Sequence, residues 1–473
     1  MVKTKNYITE GPIFIRLLLF ALPIMATGVL QLLYNMADTI VVGQFSGDPK
    51  AIGAVGATAT ITGLIVNFMV GLSGGATVVV AQFFGAKKER MVSRAVHTGF
   101  VFSLICGAVF MTVGLIVCRP ILVLMKTPED ILNLSSLYLR IICFGIPALA
   151  VSNLCAAILR AVGDSKTPLI ILSLSGILNV LFNLLFVIAF HMSVAGVAMA
   201  TIISQYAAAI ALVIALLARG NECYGLSRER MCFDTGLLKR IVFLGFPVAL
   251  QNSLFSISNM LIQSATNGLS ATVVGAVNGK TIAGNIDNIT YIVMNSFFHA
   301  AMTFTGQNYG AGRFKRLTKV LFYALIQVTL IGIAVGALEL LFADELTSLF
   351  VAADDPGRDA VLACAKEIMT VLLTTYFLCG IMEVFMGVLR GMGYSFIPMM
   401  ISLIGACGLR VVWVVAIFPL PEFYSLTGLM LCYPATWIPT NIAFAIATAI
   451  AWKKMRRRQD EKGSVEPSGE TAA

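Results

Sequence analysis

From Pro168 to Phe190 the chain runs without a single Asp, Glu, Lys or Arg. Such a run is long enough to cross a hydrocarbon layer as a helix, which takes about 20 apolar residues. Comparable runs recur along all 473 residues, and only 12% of residues are charged, about half the share in a soluble domain. At about 20 residues plus a short loop per crossing, the length holds roughly a dozen helices and no large soluble domain. A β-barrel is excluded, because its lumen-facing positions would alternate polar with apolar. The expected fold class is an all-α polytopic membrane protein.

A net charge of +9 suits nucleic acid or anionic lipid until its positions are read. Lys3, Lys5, Arg16, Lys87, Lys88, Arg90, Arg94, Arg228, Arg230, Lys239, Arg240, Arg313, Lys315, Arg316, Lys319 and the run Lys453 to Arg458 fall at a terminus or in every second gap between apolar runs. The alternate gaps hold Asp344, Glu345, Asp354, Asp355 and Asp359, with Arg119 and Lys126 as exceptions. This asymmetry orients helices in a bacterial inner membrane or its equivalent. It implies an even number of spans, both termini cytoplasmic, contact with lipid headgroups and no nucleic-acid partner. The first apolar run follows Arg16 and outlasts a signal h-region, so it is expected to be the first span. Cys106, Cys143, Cys155, Cys379 and Cys407 sit inside apolar runs without CxxC spacing and are expected to pack rather than bind metal.

The runs place spans near residues 17–42, 51–80, 95–118, 132–158, 168–190 and 194–218, then 240–265, 273–303, 320–343, 364–388, 396–420 and 425–452. Landmarks repeat between the two sets. Pro23 and Asn35 match Pro247 and Asn259; Gln82, Gly85 and Ala86 match Gln307, Gly310 and Ala311; Leu159, Arg160, Gly163, Ser165 and Pro168 match Leu389, Arg390, Gly393, Ser395 and Pro398. Six spans per half make the repeats parallel, related by an axis along the membrane normal, an arrangement of transporters that enclose a site between two lobes. The expected organisation is a first lobe over 1–218, a polar cytoplasmic link and candidate hinge over 219–239, a second lobe over 240–452, and a tail over 453–473 that is basic and then disordered.

These residues carry a resemblance. Asn35-Met36-Ala37-Asp38-Thr39-Ile40-Val41-Val42-Gly43, Gln82-Phe83-Phe84-Gly85-Ala86, Leu159-Arg160-Ala161-Val162-Gly163-Asp164, Gln307-Asn308-Tyr309-Gly310-Ala311-Gly312 and Leu389-Arg390-Gly391-Met392-Gly393, in this order, are similar to the multidrug and toxic compound extrusion (MATE) family, prokaryotic type. The resemblance spans about residues 12 to 452. It implies twelve helices in two pseudosymmetric lobes and export of amphipathic, cationic drugs and toxins by ion-driven antiport, with no cofactor beyond a coupling proton or sodium ion. A monomer is expected.

Asp38 is the leading candidate site residue, since a carboxylate in a membrane segment is costly unless it faces a cavity or a partner. The family has an acid at the matching position. Depth counting puts Asn179, Asn183 and Thr201 in the same outer half of the first lobe, within about 15 Å of depth. Asn179 and Asn183 are four apart and share a helix face. One carboxylate with amide and hydroxyl oxygens suits a small hard cation such as sodium, and protonation of the acid would serve equally. Interhelical hydrogen bonding by the asparagines stays open beside the ion role. In many members of the family the position matching Asn183 is aspartate, so the asparagine removes one charge from a sodium cage. Pro23 removes a helical hydrogen bond and allows the first span to bend, or to hold a fixed kink.

The second lobe carries Lys280, Asp287, Glu383 and Arg410 within spans. Two bases against two acids suggest mutual neutralisation; alternatively Asp287 or Glu383 attracts a cationic substrate or relays a proton. The Gln82, Gln307, Arg160 and Arg390 motifs fall at cytoplasmic helix ends and are expected to cap helices and meet headgroups. His97, His191 and His299 form no metal spacing, and there is no GxxxxGK[ST] for ATP. An enzyme is not expected. A flippase for a lipid-linked saccharide is the alternative function; it calls for several cavity arginines or lysines, and Arg140 is the one expected in the first lobe.

Overall fold

The computed structural model describes residues 8–45, 50–125, 127–351 and 355–463; Lys3, Lys5, Lys126, Asp354 and the tail beyond residue 463 lie outside them. Six long helices build the first lobe: α1 (Ile13–Phe45), α2 (Ala51–Gly85), α3 (Glu89–Leu124), α4 (Glu129–Val162), α5 (Lys166–Leu184, continued as a π-helix over Leu185–Ala189) and α6 (Ser193–Leu217). The second lobe holds α7 (Thr235–Leu269), α8 (Ala276–Gly310), α9 (Phe314–Leu341), the short α10 (Ala343–Ser348), and α11 (Arg358–Thr375) with α12 (Phe377–Gly391). It continues with α13 (Phe396–Ser402) and α14 (Leu409–Val412), linked and extended by π-helical turns, and closes with α15 (Leu426–Met430) and α16 (Cys432–Gly463).

Among the described residues ten spans are apolar and long enough to cross a bilayer, and α11 with α12 make an eleventh, bent by 46° at Tyr376. The twelfth is α8, which has the length but carries Lys280, Asp287 and asparagines at 278, 285, 288 and 295. A helix this polar cannot face lipid, and α8 lies between the lobes with Phe297 and Phe304 fully buried. The exposed faces of the other helices are apolar instead, as at Ile116 on α3, Leu181 on α5 and Val415 after α14.

Several helices outrun their apolar cores. The last continues to Gly463, eleven residues past the end of its apolar stretch at Trp452, so the segment 459–463 is helical rather than disordered. Backbone hydrogen bonding continues once a helix is nucleated, whatever the polarity of its surroundings. At the other extreme, the two Leu-Arg motifs are sharp stops. Gly163 and Gly393 take left-handed φ of 103° and 96°, and their amides bond back to the Arg160 and Arg390 carbonyls at 3.0 and 2.8 Å. This glycine cap closes α4 and α12 in the same way.

The link between lobes is not a free tether. His97 on α3 is fully buried and bonds to Ser227, Thr98 accepts from the Asp234 amide at 3.1 Å, and Arg94 pairs with Asp234 at 2.9 Å. Asp234 also caps the start of α7 through Gly236 and Leu237. Its polar composition reads as a linker in sequence, whereas those polar atoms dock it onto the first lobe.

Candidate functional site

In the first lobe the four candidates form one hydrogen-bonded chain. The Asn183 amide donates to Asp38, and also to Asn179 Oδ1 at 3.3 Å. Asn179 in turn donates to Thr201 Oγ1 at 3.5 Å, and that hydroxyl donates to the Val197 carbonyl at 2.9 Å. Helix α5 supplies both asparagines from one face, α1 the acid and α6 the hydroxyl. Asn183 is fully buried and its Oδ1 has no partner. That carbonyl is therefore available to a proton donor, while its amide already occupies the carboxylate. Asp38, Asn179 and Thr201 line a cavity of about 520 Å³ that also exposes Gln31, Asn153, Arg160 and Gln205. Pro23 lies within the unbroken α1, where Thr27 Oγ1 bonds its carbonyl at 2.7 Å.

The second-lobe candidates are near one another but do not pair. Lys280 donates to Gln263 Oε1 at 3.2 Å, Arg410 donates to Asn259 Oδ1 at 3.0 Å and lies 4.4 Å over the Tyr433 ring, and Glu383 accepts from Asn295 at 3.4 Å. Asp287 has no hydrogen bond or ion pair to any described residue. No direct ion pair joins these four, since amides and an aromatic face hold Lys280, Arg410 and Glu383, while Lys280 and Asp287 lie within Coulombic reach of each other. Lys280, Asp287 and Glu383 line a second cavity of about 600 Å³, and Arg410 does not.

The two cavities meet between α2 and α8, where Val70 and Gly74 of α2 and Asn288, Tyr291, Asn295 and His299 of α8 line both. The polar positions 288, 291, 295 and 299 form a stripe at helical spacing, a signal present in the sequence but not singled out. Glu339 on α9 was also missed; it is buried, accepts from Thr290 at 2.9 Å and leaves its second oxygen unpartnered. In sequence it stands just before Asp344 and Glu345 of α10, which hides a membrane acid among surface ones.

The reading of the helix-end motifs as surface caps is half corrected. The glycines do cap, but Arg160 lines the first-lobe cavity and Arg390, buried, lines the other. Arg140 is exposed and lines neither. Gln82 and Gln307 reach across the cleft. Gln82 Nε2 donates to the Gly391 carbonyl of the second lobe at 2.8 Å, and Gln307 Nε2 to the Ala161 carbonyl of the first at 2.6 Å. Gly85 packs directly on the Gln307 carbonyl and Gly310 on that of Gln82, leaving no room for a Cβ. Phe20 and Phe304 stack edge to face across the same junction at 5.7 Å. The cleft is therefore shut at the end that carries the termini, where Asn308 also bonds the Ile8 carbonyl at 3.4 Å. From there the cavity linings run toward Asp38 in the first lobe and Lys280 in the second.

Comparison with known proteins follows the same outline. The MatE family model matches residues 23–185 and again 247–415, once in each half. The probable multidrug resistance protein YoeA of Bacillus subtilis (strain 168) is 26% identical over 92% of this chain and 93% of its own length. A protein of Shewanella oneidensis named FAD transporter is 25% identical over 93% of this chain and 96% of its own. A solved structure, the outward-facing conformation of a multidrug resistance MATE family transporter, superposes with a TM-score of 0.87 at 19% identity, covering 97% of this chain and 100% of that one. With its two matched repeats, its twelve spans and its shared cleft, the chain belongs to the MATE family and is a multi-pass membrane transporter, not an enzyme.

Proposed function

We propose that the protein is a secondary antiporter that exports amphipathic organic compounds in exchange for protons by alternating access of the cleft. The observation that carries this reading is the Asp38, Asn183, Asn179, Thr201 chain in the cleft wall. It couples one titratable group on α1 to three neutral ones on α5 and α6. An N–H points at the Asp38 carboxylate, so a sodium ion would have to displace a donor, whereas a proton needs only the carboxylate. In this reading the lobes over 1–218 and 240–452 rock about the segment 219–239. Pro23 sets where α1 bends, and Lys280, Asp287 and Glu383 shape the substrate side, with Arg410 holding the cavity residues Asn259 and Tyr433 from behind. The protein works as a monomer among lipids of the inner membrane with both termini cytoplasmic. The closed end then faces the cytoplasm.

Charge in the cleft favours this over a lipid-linked saccharide flippase. Lys280, Arg160 and Arg390 are matched by Asp38, Asp287 and Glu383, whereas a pyrophosphate carrier calls for a basic excess. One relative's name, FAD transporter, assigns that protein a cargo other than a drug, so cargo is best read from the cleft itself.

Proteoliposomes with imposed gradients test the coupling ion. A proton gradient is expected to drive dye export with sodium absent; export driven by sodium with the proton gradient collapsed would overturn proton coupling. Asn183→Asp adds back a carboxylate beside Asp38 and is expected to make export respond to sodium, read as a sodium-dependent initial rate absent from the wild type.

A further inference from the structure

We infer that the floor of the cleft is an anion subsite, built by Arg160 and His299, that accepts the carboxylate or phosphate of an amphipathic cargo. The inference deepens the efflux reading above and rests on it for the word cargo. Arg160 and Arg390 are repeat partners with the same glycine cap, so each is a control for the other. Arg390 is provided for: it donates to Gln251 Oε1 at 2.7 Å, lies 5.1 Å over the Phe298 ring and has Glu383 within Coulombic reach. Arg160 has none of this. It makes no hydrogen bond or ion pair with any described residue, although it lines the first-lobe cavity. Its nearest acid in sequence, Asp164, is taken by Arg219 at 3.0 Å.

A guanidinium set into a membrane protein without a counter-charge costs about 2.5 to 3.5 kcal/mol on insertion scales. Arginine offers a planar fork of five donors that fits carboxylate or phosphate two bonds at a time. His299, which lines both cavities, makes no hydrogen bond to a described residue either, and it lies within Coulombic reach of Arg160. Two side chains with unpartnered N–H groups thus lie at the closed end, and His299 is within Coulombic reach of Arg390 as well. Depth separates them from the ion site. Gly28 on α1 packs against Ile292 on α8; Asp38 lies ten residues outward of Gly28 and His299 seven residues inward of Ile292. At 1.5 Å per residue this is roughly 25 Å. An anionic head at the floor therefore does not compete with a proton at Asp38, and the rest of the cargo extends up the cleft toward Asp287 and Glu383.

Rhodamine 110 and its methyl ester rhodamine 123 share one ring system and differ by a free carboxylate, which makes them the probes. Binding of each to the purified protein is measured by fluorescence anisotropy, alongside proton-driven uptake of rhodamine 123 into proteoliposomes. Arg160→Gln is expected to weaken rhodamine 110 by about ten- to a hundredfold, the loss of a charge-assisted bond, and rhodamine 123 far less. His299→Asn, which leaves the arginine in place, is expected to weaken rhodamine 110 selectively by a smaller factor and covers the case in which Arg160→Gln fails to fold. Equal losses for both dyes, or no rhodamine 110 binding by the wild type, would overturn the subsite. Selective loss of rhodamine 110 without driven uptake of rhodamine 123 would sustain the subsite and overturn the efflux reading instead.

Discussion

Asp38→Asn is expected to abolish gradient-driven export while the protein still folds and reaches the membrane. The substitution is nearly isosteric, and an asparagine oxygen can still accept the Asn183 amide. What disappears is the group that takes up and releases a proton. Each proton moved down a one-unit pH gradient supplies ~1.4 kcal/mol, equal to about a tenfold accumulation of cargo. The variant should therefore bring accumulation in everted vesicles down to the equilibrium ratio, a loss of at least about tenfold at that gradient. Dye-for-dye exchange without a gradient should persist, because the cleft and its rocking are untouched. Full accumulation by the variant would remove Asp38 from the coupling role.

The second large effect concerns the closed end. Gly85 and Gly310 each lie against a glutamine carbonyl of the other lobe, and those carbonyls are backbone, unable to swing aside. Introducing leucine at both positions must push the lobes apart where Gln82 and Gln307 join them. Overpacking costs about 1 to 3 kcal/mol per site, while inverting a two-state population from about 99:1 takes about 5.5 kcal/mol. Each single variant should slow transport in part, and the Gly85→Leu, Gly310→Leu pair should reduce it to background. A cysteine at Asn153, in the first-lobe cavity, should then become reachable by an impermeant maleimide from the terminus side. Of the native thiols Cys106, Cys223 and Cys232 are half-buried and the other seven buried, so labelling is read against the same variant without the added cysteine. Cys223, in the link between lobes, is pushed up to about 11, mainly by burial and further by Glu89 and Glu222, and stays a thiol at neutral pH. Wild-type transport by the double variant would show that the closed end need not be tight.

The two predictions differ in how far they could be seen in advance. Asp38 stands out as a carboxylate in a membrane segment and through the family resemblance, depth and helical spacing put Asn179, Asn183 and Thr201 beside it, and the structure brings the four into one chain. This works because the four sit on three spans, α1, α5 and α6, whose directions are set by chain order, so height in the membrane follows from residue count. The glycine contacts were visible only as a repeated motif, whose partner across the cleft no count could name.

What the amino-acid sequence determined by itself is whatever is set locally or by the membrane. Apolar run length dictates the spans, alternating charge their direction, and recurring motifs the two lobes. Glycine at 163 and 393 dictates where α4 and α12 stop. Only the tertiary structure decided which way side chains at those stops turn, and with what result. Arg160 and Arg390 occupy matching positions of the repeat, yet Arg390 meets Gln251 and Phe298 while Arg160 faces an open cavity. Likewise Lys280, Asp287, Glu383 and Arg410 balance in number, yet Lys280, Glu383 and Arg410 bond to amides or lie on an aromatic ring rather than pairing directly. The reason is physical. A helix determines the height and angle of a residue from its own sequence, but a charged group's partner depends on how neighbouring helices are placed around it. That placement comes from packing of the whole lobe, in which each buried charge settles against whatever polar atom the cleft brings within about 3 Å.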